Sequence, residues 1–185
     1  MKKINRKFQI FTLLAISILL IPSVSACRHS RNVEKSARAH ALGIIPASAV
    51  STPTGTVDPQ WQKEFGDYLV VYYGSSATFK VTLTIDGANY FGDSNTGPRT
   101  EFQYLKTNTL LTISPRAVWT FSEGTFEGKI IMSINNYPGT GPTSWHVTLI
   151  SCILYGTKGF QGQKLVLSYN GPMVGAAWTG YIIER

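Results

Sequence analysis

Cysteine is nearly absent: the chain has two in 185 residues, too few for a disulfide scaffold and not placed as a C-x-x-C pair. Histidine is also scarce, with three. No H-x-H or H-E-x-x-H spacing occurs, which argues against a zinc or two-metal enzyme, and no cofactor is expected. G-x-S-x-G and G-x-x-x-x-G-K-[ST] are missing too, so the chain has neither a nucleophile elbow nor a phosphate loop. Charge is low, at 15% of residues, and unevenly placed. Residues 1–38 hold eight basic groups and one acidic group, which accounts for the whole net charge of +7. From residue 39 onward nine basic residues face nine acidic ones. A neutral domain cannot neutralise phosphates, so nucleic acid is excluded as a partner. A hydrophobic content of 43% excludes a disordered chain, and a mean hydropathy near zero excludes a polytopic membrane protein.

The basic groups of residues 1–7 precede an apolar run of 14 residues, 8–21, that stops at Pro22. A helical membrane span needs about 20 apolar residues, so this layout reads as a secretory signal peptide over residues 1–26. Val24, Ser25 and Ala26 offer a small-residue cleavage site. With Cys27 they spell V-S-A-C, which resembles a lipoprotein processing box. The resemblance implies that Cys27 is lipidated and anchors the protein to the outer face of the cell membrane. Cleavage with release and an uncleaved anchor remain open. Residues 28–57 contain no Phe, Tyr or Trp and cannot offset their own ordering entropy by burial, so residues 27–57 read as a flexible tether. Its basic cluster, Arg28, Arg31, Lys35 and Arg38, suits a solvated run or contact with anionic headgroups.

Twenty of the 22 aromatic residues fall in 61–185, which marks residues 58–185 as the folded domain. The period there is two. Ala77, Phe79, Val81, Leu83 and Ile85 alternate with Thr78, Lys80, Thr82 and Thr84, as in a strand with one dry face and one wet face. Similar runs occur at 67–73, 99–106, 108–114, 116–122, 125–134, 144–155, 163–169 and 174–183, separated by breakers such as Asp86-Gly87, Gly92-Asp93, Ser114-Pro115 and Asn170-Gly171-Pro172. The domain therefore reads as all-β, a single antiparallel β-barrel of about eight strands, with a sandwich as the alternative. Phe126-Glu127-Gly128, Phe160-Gln161-Gly162 and Trp178-Thr179-Gly180 each set an aromatic residue two positions before a glycine. Such a glycine lets a strand bend where a barrel closes, and the aromatic residue covers the backbone it leaves bare.

The run GTFEGKI, then GTKGFQGQKL and AAWTGYI, over residues 124–182, resembles the glycine and aromatic pattern of allene oxide cyclase-like and dirigent-like small barrels. That resemblance implies an eight-stranded barrel that binds hydrophobic small molecules. Some members steer cyclisation or coupling of a reactive intermediate.

Among single residues, His146 and Trp145 open a strongly apolar strand. With period two, His146 shares a face with Thr148, Ile150, Cys152 and Leu154. It reads as a hydrogen-bonded strand-end histidine or as a general base at the barrel mouth. Cys152, in mid-strand, reads as an unpaired core thiol, with a bond to Cys27 as the alternative. Asp86 and Asp93 fall in turns. Glu123 and Glu127 read as solvent-facing, whereas Glu101, level with Arg99 and Gln103, fits a polar lumen or an exposed face equally well. The function expected first is binding of a small apolar or amphipathic ligand, lined by Tyr104, Trp119, Trp145, His146 and Trp178. A cyclase-like enzyme using His146, Glu101 or Glu127 is one alternative, and a carbohydrate-contacting surface module is another. Oligomeric state has no signature in the sequence. If Cys27 carries the anchor, Cys27→Ser moves the protein from the membrane pellet to the soluble fraction on cell fractionation, and retention in the pellet rules that anchor out.

Overall fold

The structure, a computed structural model, describes residues 43–184; the expected signal peptide and Cys27 lie outside the described residues. Ten strands follow one another: β1 (Ile44–Val57), β2 (Trp61–Phe65), β3 (Leu69–Ile85), β4 (Ala88–Asn95), β5 (Arg99–Tyr104), β6 (Thr109–Phe121), β7 (Thr125–Asn135), β8 (His146–Thr157), β9 (Gln163–Pro172) and β10 (Ala177–Glu184). Every pairing is antiparallel. The order β1-β10-β9-β8-β7-β6-β4-β3 closes on itself because β1 also pairs with β3, making an eight-stranded barrel with β2 and β5 outside the ring. The all-β barrel expected from the period-two pattern is the fold of the domain.

Three features of the chain differ from expectation. Residues 44–57, expected as part of the tether, form β1 and bond to β10 along one edge and β3 along the other. The segment has little bulk because little is needed there. Its inward residues Ala47 and Ala49 are buried beneath an interior already occupied by Trp119, Leu83 and Ile182. The run at 67–73 and the run at 77–85 are one strand, β3, as are the two runs that make up β6. Gly92-Asp93, expected as a turn, lies inside β4, where Asp93 pairs with Lys80 at 2.7 Å.

Glycine explains how the wall curves. A Cβ on Gly128 would lie 2.2 Å from the Ile153 carbonyl oxygen, and one on Gly180 1.9 Å from that of Val166. At both sites the neighbouring strand approaches closer than any side chain allows. Phe126 and Trp178 stand two residues earlier on the same inner side, as the repeat implied. The third copy differs: Phe160 is buried in the β8–β9 connection, and Gly162 forms the turn into β9 at φ +81°. Phe160 plugs that end of the barrel, stacking on Phe126 at 4.6 Å and meeting Tyr90 and Phe121 edge-on.

The other end flares. Register shifts at Tyr73/Ser75 in β3, Ser114/Ala117 in β6 and Leu149/Cys152 in β8 insert extra residues at one level of the wall. Each bulge bends its strand and exchanges which parity faces inward. Past these bulges the β1–β10 ladder has ended at Val50 and Ala177. The wall continues as β2-β3-β5-β6-β7-β8-β9, and no pairing is present between β2 and β9 among the described residues. Gly128→Ala forces a methyl group into the β8 backbone and is expected to cost about 2–3 kcal/mol in urea unfolding. Lys129→Ala, on the exposed neighbour, should stay within about 0.5 kcal/mol.

Candidate functional site

The flared wall has an inner face whose composition changes from one side to the other. Because opposed residues in an antiparallel ladder share a face, the register strings them into rows. One row runs Gln62, Tyr72, Glu101, Thr112, Met132, Leu149, Tyr169. The next runs Glu64, Val70, Gln103, Leu110, Ile134, Val147, Gly171. The β2–β3–β5 side is thus mainly polar, and the β6–β9 side is apolar. One position deeper, Arg99 lies opposite Ser75.

The polar groups converge. Arg99 Nη2 meets Glu101 Oε1 at 2.8 Å, and Arg99 Nε donates to Ser75 Oγ at 3.1 Å. The side chains of this ion pair are only 16% and 12% exposed, unlike the pair Lys80–Asp93 at 68% and 66%. Tyr72 donates its phenolic proton to Gln103 Oε1 at 3.0 Å. Tyr137, from the β7–β8 connection, joins them from above. Burial first, then the charge of Glu101 and proximity to Tyr72, push its phenol above the ordinary value, while Arg99 opposes the shift. Tyr137 therefore remains a neutral hydroxyl donor. Thr112 and Ser114 are buried on the same inner side.

The apolar side carries a small core of its own. Leu110, Ile134 and Val147 are buried together, with Met132, Tyr137, Trp145, Tyr169 and Met173 packed on them. The connection 136–145 folds onto this cluster: Tyr137 N donates to Asn108 O, Trp145 Nε1 to Pro138 O and Met173 N to Trp145 O. Tyr137 and Trp145 touch at 5.0 Å between ring centres. This inner face, with its polar bank, apolar bank and half-buried aromatic cover, is called the trough below.

The five residues expected to line a site do not come together. Trp119 is fully buried in the main core, tilted against half-buried Trp178 at 5.8 Å, in the packed part of the barrel. Trp145 alone of the five borders the trough. His146 is exposed, and its Nε2 lies 2.8 Å from Asn170 Oδ1. The bulge at Ile150 separates its face from that of Cys152 and Leu154, which point inward, so the shared face inferred from period two is corrected. Tyr104 belongs to the opposite, outer face, where Trp61 stacks on Tyr73 at 5.9 Å and Phe65 is also exposed. Of the carboxylates, Glu127 turns outward to an exposed ion pair with Arg116 at 2.5 Å, and Glu101 turns inward. Tyr72 and Gln103 had no distinguishing signal, since their inward aim depends on bulges and register; Met132 follows the unbroken alternation of β7, and Tyr137 is placed by the β7–β8 connection.

Cys152 is free and buried, its thiol pushed up to about 12 by burial, so it is a core residue without nucleophilic character at neutral pH. No group of three or more His, Cys, Asp and Glu able to hold a metal occurs among the described residues. A groove of about 360 Å³ on the outer wall is lined by short hydroxyl side chains, Asn95, Val118 and the exposed ion pair Lys80–Asp93. Compared with protein-family models, curated proteins and solved structures, the chain matches none.

A mostly buried pair leaves a bare charge when one partner is removed. Arg99→Met should lower unfolding stability by about 3 kcal/mol, with most of it regained in Arg99→Met/Glu101→Leu. A loss under about 1 kcal/mol in the single variant would place the pair with weak surface pairs instead.

Proposed function

We propose that this is an exported protein, anchored through a lipid on Cys27, whose barrel takes a small amphipathic ligand in the trough at its flared end. The observation that carries the reading is the division of one inner face into a polar bank (Tyr72, Glu101, Gln103) and an apolar bank (Met132, Leu149, Tyr169) on the same row system. Ligand sites are mostly apolar, with a few convergent polar groups that fix orientation, and an amphipathic molecule matches both banks at once. The V-S-A-C box and the basic, then apolar, leader support the address. The glycine and aromatic pattern resembling allene oxide cyclase-like barrels agrees with a hydrophobic ligand, and Glu101 is the carboxylate that an enzymatic version would use.

One observation favours a second reading. Trp61, Phe65, Tyr73 and Tyr104 are exposed on one outer face of β2, β3 and β5, and aromatic rings aligned in this way suit stacking on sugars. The two sites are on opposite faces, so one titration separates them. N-phenyl-1-naphthylamine, an uncharged fluorescent probe, should bind the purified domain saturably at one site. Met132→Glu should weaken it by about tenfold or more, and Trp61→Ala should leave it unchanged, with circular dichroism confirming both folds. Binding lost with Trp61→Ala and kept with Met132→Glu would move the site to the outer face.

A further inference from the structure

Two buried polar atoms on the inner side of β6 have no hydrogen-bond partner: Ser114 Oγ and Trp119 Nε1. A third, Gln163 Oε1, belongs to β9 near the plugged end, where the same side chain reaches Glu184. Ser114 is fully buried and stands one inner position deeper than Thr112, which is opposite Glu101. It is therefore at the bottom of the polar bank. An indole N–H can only donate, and a hydroxyl can donate or accept. A buried donor without an acceptor costs free energy that a suitable oxygen would restore.

The charges of the trough, by contrast, already neutralise one another. The Arg99 guanidinium is held by Glu101 and Ser75, and Glu101 by Arg99. A carboxylate ligand that takes Arg99 from Glu101 leaves Glu101 unpaired in a mostly buried place, and one that shares Arg99 with Glu101 adds a second negative charge there. An ammonium ligand would strand Arg99 in the same way. Both exchanges carry the penalty of a buried single charge. Gln103 already accepts from Tyr72, and the Tyr137 hydroxyl, kept neutral by burial and Glu101, adds another donor above.

We propose that the ligand's polar end is an uncharged hydrogen-bond acceptor, the oxygen of a ketone, ester or ether, directed at Ser114 with its hydrocarbon body along Met132, Leu149 and Tyr169. This rests on the trough being the ligand site. It adds the chemical class: neutral acceptors are taken, and fatty acids and alkylamines of the same length are disfavoured.

Displacement of N-phenyl-1-naphthylamine by 2-decanone, decanoate and decylammonium at neutral pH tests the class. The ketone should displace the probe at concentrations about tenfold lower than either ion. Ser114→Ala should shrink that preference to about twofold through loss of the hydroxyl. Ser114→Cys, close in size and a weak donor, gives the same readout should the alanine variant not fold. Decanoate or decylammonium competing as well as the ketone overturns the neutral-acceptor class while leaving the trough as the site. An undiminished ketone preference in both Ser114 variants overturns the assignment of the donor. Failure of all three to displace a saturably bound probe overturns the reading of the trough itself.

Discussion

An open eight-stranded sheet would leave two edges of unpaired amides and carbonyls, and each edge would invite association with another chain. In this barrel β1 removes both at once by bonding to β10 on one side and β3 on the other. Everything inside the ring follows from that closure. The largest buried side chains, Trp119, Phe126, Leu83, Ile130, Leu154, Leu165 and Ile182, come from six different strands and meet only when the ring is shut. The strand that shuts it contributes alanines because the neighbours have already filled the space. Inward glycines on β7 and β10 complete the geometry by letting adjacent backbones approach more closely than a side chain allows.

The same closure accounts for the flared end. β1 and β10 are too short to follow β3, β8 and β9 past the bulges, so the ring lapses there into an open, seven-stranded wall. An inner face that in the closed part is dry and tightly packed becomes, a few residues further on, a half-open surface with mixed chemistry. Bulges in β3, β6 and β8 fall at the same level, and each resets the parity of its strand. Without these resets Tyr72, Thr112 and Leu149 would turn to the outer face and the two banks would not exist.

The polar bank is held by partners of its own. Arg99 and Glu101 neutralise one another at low exposure, Ser75 accepts from Arg99 Nε, Gln103 accepts from Tyr72, and Tyr137 closes over them from the β7–β8 connection. A self-neutralised cluster of this kind holds its geometry without a ligand and offers no charge to one. Beneath this bank the buried Ser114 hydroxyl has no hydrogen-bond partner.

The alternation of Ala77 to Ile85, the aromatic content after residue 60 and the spacing of Gly and Pro were enough to give an antiparallel all-β domain, a barrel before a sandwich, because a half-buried strand imposes a period of two on its own residues; the pairing of β1 with β3 decided for the barrel. Glycines at 128 and 180, each two residues after an aromatic, announced the bends for the same local reason. The local pattern could not identify β1, whose place is secured by hydrogen bonds from two distant strands rather than by its own bulk. Nor could it orient His146 or Glu101. One extra residue in a strand turns every later side chain to the other face, and where a bulge falls is set by pairing across the sheet. Fold class thus belonged to the sequence read locally. The seam of the barrel, the trough and the residues that line it were decided by the tertiary register.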